Sequence, residues 1–113
     1  MGGKPALTRE GYWSIIPIAK SRLIQHQKIT DELGNTVETR LWKVPPATDK
    51  PHGFKYSLVY IVGGERVIGN DNGERRGDHR HYGDREEPYS FTTLRNLAED
   101  FQHDVDAYKR SMP

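Results

Sequence analysis

The sequence contains no cysteine, and none of its apolar runs approaches the length of a membrane-spanning helix. The lack of thiols excludes a disulfide framework and zinc sites with thiolate ligands. It is typical of a protein that works in a reducing cytoplasm, where we expect this one. Apolar residues are also scarce, at 34% of the chain against 29% charged residues. They are clustered, however, so 113 residues predict a single folded domain with one modest core.

The charges are nearly balanced in number but not in position, because the formal net charge of +1 hides two unequal halves. Residues 1–55 carry nine lysines and arginines against five acidic residues, whereas residues 56–113 carry eight against eleven. This asymmetry predicts a basic surface for phosphate and an acidic surface for a basic partner. Surface charges also divide unevenly without a functional cause, so both interpretations stay open.

Five segments have the composition of β-strands bounded by glycine, proline and asparagine: residues 19–30, 36–44, 54–62, 65–70 and 78–82. The first is polar along most of its length and fits an edge strand. Gly63-Gly64 predicts a two-residue hairpin turn, because both positions can take the positive φ of a type I′ turn. Val59 and Ile61 lie on the second face of the third segment, and they predict that its later half is covered on both sides.

The C-terminal part carries a helical pattern, in which apolar residues recur at intervals of three and four: Leu94, Leu97, Ala98, Phe101, Val105 and Tyr108. Thr92 or Thr93 can cap its start. The pattern predicts an α+β fold, a meandering antiparallel β-sheet of four to five strands with a C-terminal α-helix packed on one face. We expect one domain over residues 18–110. Residues 1–17 should form an N-terminal arm that packs on the domain or on a second copy, as a homodimer contact.

Five short motifs follow one another between His52 and Val105. The strand HGFKYS is followed by NDN at 70–72, GDHRH at 77–81, EEPYSF at 86–91 and LAEDFQHDV at 97–105. In this order they resemble the TumE family of small bacterial toxin–antitoxin components, over about residues 20–108. Asn70 departs from the family pattern, which has an aromatic residue there, and residues 1–17 have no counterpart.

The resemblance implies a toxin role, with a helix-turn-helix antitoxin encoded beside the toxin. It implies no particular reaction, so the chemistry has to be inferred from the residues. We expect RNA as the target. The rival is a non-enzymatic binding module that acts through a complex with a DNA-binding partner. The antitoxin would cover residues 75–87 or the acidic side of the helix, otherwise a solvated face, formed by Glu99, Asp100, Asp104 and Asp106.

Residues 75–91 read RRGDHRHYGDREEPYSF and concentrate ionisable side chains. If residues 78–82 are extended, His79 and His81 share one face and Arg80 lies on the other. Two adjacent imidazoles suit proton transfer near neutral pH, a cationic side chain can hold a phosphate, and a carboxylate can orient a histidine. This chemistry predicts a metal-independent ribonuclease that needs no cofactor. The candidate catalytic residues are His79, His81, Arg80, Lys55 and Glu87.

Other interpretations of the same residues stay open. The two histidines can be a hydrogen-bonded structural pair, and the two glutamates at 86–87 can form salt bridges with neighbouring arginines. A third interpretation is a metal-dependent hydrolase that uses His79, His81 and Asp78 or Asp71. Because cysteine is lacking and no clear third ligand is present, we expect no tightly bound metal.

Overall fold

The computed structural model describes residues 7–8, 11–12, 21–73 and 75–112. Two short strands, β1 (Leu7–Thr8) and β2 (Gly11–Tyr12), pair antiparallel near the N-terminus. Most of the predicted N-terminal arm, residues 1–17, lies outside the described residues, and so does its predicted homodimer contact. Within residues 21–73 and 75–112, no helix is long and apolar enough to cross a membrane.

The main structure is one antiparallel sheet of six strands, each hydrogen-bonded to the next strand along the chain. This confirms the predicted meander. The strands are β3 (Arg22–Thr30), β4 (Thr36–Lys43), β5 (Phe54–Val62), β6 (Glu65–Asp71), β7 (His79–Tyr82) and β8 (Arg85–Pro88).

The sheet has one strand more than the four to five predicted, and the additional strand is β8. Its four residues are Arg85, two glutamates and Pro88, so the sequence offers no apolar alternation to reveal it. Proline is tolerated there because β8 lies at the edge of the sheet. At the opposite edge lies β3, whose nine residues are all exposed, as the edge-strand prediction required.

The helix α1 (Leu94–Ser111) begins as predicted from a threonine cap. Thr93 has extended backbone angles, and its hydroxyl accepts a hydrogen bond of 3.0 Å from the backbone N–H of Asn96. The apolar stripe of α1 packs on the sheet and completes the core. The buried core residues are Tyr56, Leu58, Tyr60, Ile68, Leu97, Phe101 and Val105.

The two faces of the sheet differ in character. We call the face covered by α1 the helix face and the opposite one the outer face. Along β5, buried Tyr56, Leu58 and Tyr60 point to the helix face and alternate with residues of the outer face. The later half of β5, which was predicted to be covered on both sides, is covered only partly on the outer face, where Val59 and Ile61 are half-buried.

The β5–β6 hairpin turns at Gly63-Gly64, with φ of 59° and 80°. Both values are positive, as a type I′ turn demands, so the predicted turn is confirmed. The hairpin fixes the register that brings Asp71 on β6 opposite Ser57 on β5. The next strand, β7, then pairs His79 with Asp71, which carries the histidine segment onto the sheet.

Candidate functional site

Strand register assembles a cluster of ionisable side chains on the outer face, around β7. His81 lies opposite Gly69 on β6 and Glu86 on β8. His79 lies opposite Asp71 and Pro88. We call the cluster the histidine site, and it consists of Asp71, Arg76, His79, His81 and Glu86.

His81 is held as a neutral imidazole by its surroundings. The residue is 5% exposed, and burial lowers the pKa of its ring below the usual 6.5, with the guanidinium groups of Arg66 and Arg76 acting in the same direction. The Asp71 carboxylate opposes the shift but does not reverse it. Asp71 Oδ2 is 3.0 Å from His81 Nε2. Since a carboxylate only accepts hydrogen bonds, Nε2 carries the proton and Nδ1 is left bare.

His79 is oriented by the backbone. Its Nδ1 lies 2.9 Å from the carbonyl oxygen of Gly77, and a carbonyl accepts, so Nδ1 donates. The other ring nitrogen, Nε2, is 3.5 Å from Glu86 Oε2, while Nδ1 of His81 is 4.0 Å from Glu86 Oε1. The guanidinium of Arg76 also pairs with Glu86. Two imidazoles and one guanidinium therefore converge on a single anionic group.

A glycine in the middle of β6 gives this cluster its space. A Cβ at Gly69 would lie 3.1 Å from Cδ of Arg66 and 3.6 Å from Cδ2 of His81. A Cβ at this position would therefore crowd the Arg66 side chain and lie in van der Waals contact with His81. A glycine inside a strand often marks such a close approach, so Gly69 is the feature of the sequence that could have indicated this crowded position.

The structure brings only part of the predicted catalytic set together. Lys55 shares the outer face, but it sits two strands from β7, and its ammonium lies 5.3 Å from the centre of the Trp42 ring on β4. Arg80 lies between the two histidines in β7, and Glu87 follows Glu86 in β8, so alternation sends both side chains to the helix face. There Arg80 lies opposite Asn70 on one side and Glu87 on the other. They are therefore separated from the two imidazoles by the sheet itself.

Arg80 instead forms a bidentate ion pair with the helix. Its Nε and one terminal nitrogen each lie 2.6 Å from a carboxylate oxygen of Asp104, and the other terminal nitrogen donates to Glu87 at 2.8 Å. The hydrogen bonds to Asp104 raise the pKa of the guanidinium further above its usual value. The predicted acidic side of the helix needs a correction here, because Asp104 is 7% exposed and points into the protein.

A second network, which sequence reasoning missed, holds the start of β7. The carboxylate of Asp78 accepts a hydrogen bond of 2.8 Å from the Tyr56 hydroxyl and lies 3.2 Å from His52 Nε2. His52 also accepts from the backbone N–H of Phe54 and stacks on Phe91 at 3.9 Å between ring centres. Burial raises the pKa of Tyr56, so its hydroxyl stays protonated and donates. Tyr56 and His52 therefore both hold Asp78, the residue immediately before His79.

Two buried asparagines precede β7: Asn70 lies in β6, and Asn72 lies just after it. Asn72 hydrogen-bonds to Phe54 O at 2.7 Å and to the N–H of Tyr56 at 2.9 Å, so its amide extends the ladder of β5. Asn70 is fully buried, and its side-chain amide has no hydrogen-bond partner among the described residues.

The metal-dependent interpretation finds no support in the part of the chain that the structure describes. Within residues 21–73 and 75–112, no group of three or more histidine, aspartate or glutamate side chains is arranged to hold a metal ion. Asp78, one of the suggested ligands, is hydrogen-bonded to Tyr56 on the helix face. It therefore does not join His79 and His81 on the outer face.

The lowered pKa of His81 predicts how stability depends on pH. Below pH 6.5 the unfolded chain binds a proton at His81 that the folded chain excludes, so the free energy of unfolding should fall as pH falls from 7.5 to 5.5. Urea unfolding at several pH values measures this slope. The slope should be smaller in His81→Gln, in which Asp71, Glu86, Arg66 and Arg76 are kept. Equal slopes in both proteins would contradict the prediction.

Comparison with known proteins identifies the family. The chain matches the family model described as Toxin TumE over residues 15–109, which is most of its length. No curated protein and no solved structure matches it. The matched range contains the histidine site, the second network at His52 and the whole apolar stripe of α1. The chain therefore belongs to the Toxin TumE family, as the motifs between His52 and Val105 predicted.

Proposed function

We propose that this protein is the toxin of a toxin–antitoxin pair and cleaves RNA at the histidine site without a metal ion. One observation carries the proposal. The two imidazoles are each anchored through one nitrogen, to Asp71 and to the Gly77 carbonyl, while their other nitrogens converge on one anionic position next to Arg76. Membership of a toxin family supports the biological class and implies an antitoxin partner in general.

The arrangement suits transfer of the phosphoryl group within RNA. His81 Nδ1, bare in the neutral ring, removes the proton from a ribose 2′-hydroxyl, and the resulting oxygen attacks the adjacent phosphorus. The bond from phosphorus to the 5′ oxygen breaks, and His79 in its imidazolium form gives a proton to that oxygen. The products are a 2′,3′-cyclic phosphate and a 5′-hydroxyl. Asp71 stabilises the charge that His81 gains, in the manner of an orienting carboxylate beside a general base.

The charge of the outer face supports an RNA substrate. The sequence around the histidines holds nearly equal numbers of acids and bases, but two of the acids, Asp78 and Glu87, lie on the helix face. Cations that neutralise phosphates supply most of the non-specific affinity for nucleic acid. Among the described residues, strand register and contacts place these charged side chains on the outer face: the cations Lys28, Arg40, Lys55, Arg66 and Arg76, and the carboxylates Glu38, Asp71 and Glu86.

A second candidate function is favoured by the burial of His81. At 5% exposure, its ring needs a movement of neighbouring side chains before it can reach a ribose. A binding module would have no such need, and it would act through its complex with the DNA-binding partner. In both cases we propose a helix-turn-helix antitoxin that covers the side chains of residues 75–87 that lie on the outer face. Detection of a complex with a neighbouring protein therefore does not distinguish the two functions.

An RNA cleavage assay separates them. We expect the purified chain, freed of antitoxin, to cleave single-stranded RNA in the presence of EDTA. Removing one acid–base group should slow cleavage by about 10²–10⁴-fold, so His81→Ala and His79→Ala should each be nearly inactive. His103→Ala is the matched control, because His103 is exposed on α1, on the other side of the sheet, and it should cleave normally.

Folding has to be checked in parallel, because His81 is buried. Each variant should keep a cooperative thermal transition, and growth arrest on expression without antitoxin should follow cleavage. Wild-type protein that arrests growth without cleaving RNA favours the binding module. Folded His79→Ala and His81→Ala variants that cleave as fast as the wild type would refute the ribonuclease site.

A further inference from the structure

The carboxylate of Glu86 lies at the point where the cationic and protonatable groups of the histidine site meet. Its two oxygens are 3.5 Å from His79 Nε2 and 4.0 Å from His81 Nδ1, and the guanidinium of Arg76 pairs with it directly. Imidazolium and guanidinium groups are the ones that bind phosphate through charge-assisted hydrogen bonds. A carboxylate and a phosphodiester each carry a single negative charge, so one can replace the other without changing the charge balance of the site.

We propose that the Glu86 carboxylate marks the phosphate-binding position of the histidine site, and that a phosphate of the RNA backbone displaces it on binding. The inference rests on the proposed function and adds to it the place at which the substrate phosphate is held. Arg76 and His79 are then the phosphate ligands, and the bare Nδ1 of His81 lies beside the bound phosphate. In the free protein, Glu86 keeps these groups paired with an anion.

The position of Glu86 allows this exchange. It lies on β8, a four-residue strand at the edge of the sheet, and its side chain is 37% exposed. Its distances to the two imidazoles exceed those of hydrogen bonds, which rarely pass about 3.2 Å. Its ion pair with Arg76 joins two exposed side chains, and such pairs stabilise proteins little. A simple side-chain rotation therefore moves the carboxylate into solvent.

The neighbouring glutamate shows what a structural carboxylate looks like in the same strand. Glu87 accepts a hydrogen bond of 2.8 Å from Arg80 on the helix face, where Arg80 is also held by Asp104. Glu86 is also not needed to orient the histidines, because Asp71 orients His81 and the Gly77 carbonyl orients His79. Asp71 and the Gly77 carbonyl thus orient the two rings, while Glu86 only occupies the anion position.

The test measures binding of inorganic phosphate, with the full chain and the histidine ring resonances as the readout. In the wild type, phosphate should shift the resonances of His79 and His81 and leave those of His103 unchanged. Glu86→Gln removes the competing charge and should bind phosphate about tenfold more tightly. Glu87→Gln is the matched control, since it removes the same charge one residue away, on the other face, and should gain much less.

Equal gains in the two variants would show a general charge effect and overturn the inference, as would weaker binding in Glu86→Gln. Glu86→Ala serves as a second variant if the glutamine variant unfolds, with the same expectation. RNA cleavage measured on these variants separates the two proposals. If phosphate binding increases selectively in Glu86→Gln but no RNA is cleaved, the phosphate-binding position is supported and the ribonuclease activity is refuted. If RNA is cleaved but phosphate binding does not increase selectively in Glu86→Gln, only the phosphate-binding position is refuted.

Discussion

Phe101→Ala should lower the free energy of unfolding by about 3–5 kcal/mol, because truncating a buried phenylalanine loses its transfer energy and leaves a cavity. Phe101 is 4% exposed and belongs to the stripe that α1 lays on the sheet, between Leu97 and Val105. A loss of this size is a large part of the stability of a small domain. Urea unfolding followed by circular dichroism measures it.

The matched control is Leu33→Ala, which truncates an apolar side chain that is 54% exposed. Surface substitutions of this kind usually change stability by less than about 0.5 kcal/mol. A Phe101→Ala variant that unfolds at the same urea concentration as Leu33→Ala would contradict the packing of α1 on the helix face. The apolar stripe would then have to be buried elsewhere, for example against a partner.

Arg80→Ala should cost about 3 kcal/mol, at the lower end of the range for breaking a buried ion pair. The reason is Asp104, whose side chain is 10% exposed and would be left without its bidentate partner. Asp104→Ala should cost less, because Arg80 is 32% exposed and keeps its hydrogen bond to Glu87. The two unfolding energies therefore should differ, with the arginine variant the less stable.

Two further variants make this measurement decisive. Arg95→Ala removes an exposed arginine from the same helix and should be close to neutral. The double variant Arg80→Met with Asp104→Leu should be more stable than Arg80→Ala, since it buries no unpaired charge. If Arg80→Ala keeps the full stability of the wild type yet loses RNA cleavage, Arg80 acts in chemistry, and its role as the link between β7 and α1 is refuted.

Much of the fold could be predicted because the strands and the helix carry the periodicities of their environments. Alternation along residues 54–62 and the stripe from Leu94 to Tyr108 each describe one buried face, and Gly63-Gly64 encodes its own turn. Strand β8 has no such signal, because it is an edge strand of charged residues and proline. The side chains of β8 are mostly exposed, and a hydrophobic periodicity arises only where one face of an element is buried.

The candidate site was harder to predict because it depends on register. Alternation was enough to place His79 and His81 together and Arg80 on the other face. The partners Asp71 and Glu86 come from two neighbouring strands, and only the pairing of those strands with β7 brings them to the histidines. The bond between His52 and Asp78 spans 26 residues and involves a loop, so no spacing rule could have shown it.

The pairing of every strand with its neighbour in the chain has a consequence for folding speed. Every strand pairing in the six-stranded sheet joins strands that are consecutive in the chain, so the contact order is low for a sheet protein. Proteins of low contact order fold faster than those whose paired strands are distant in sequence. During synthesis, each strand can therefore pair with the one made just before it. The helix is made after all six strands, and the Arg80–Asp104 pair, 24 residues apart in sequence, joins it to the sheet. A nascent chain should thus reach its stable form only after α1 has left the ribosome.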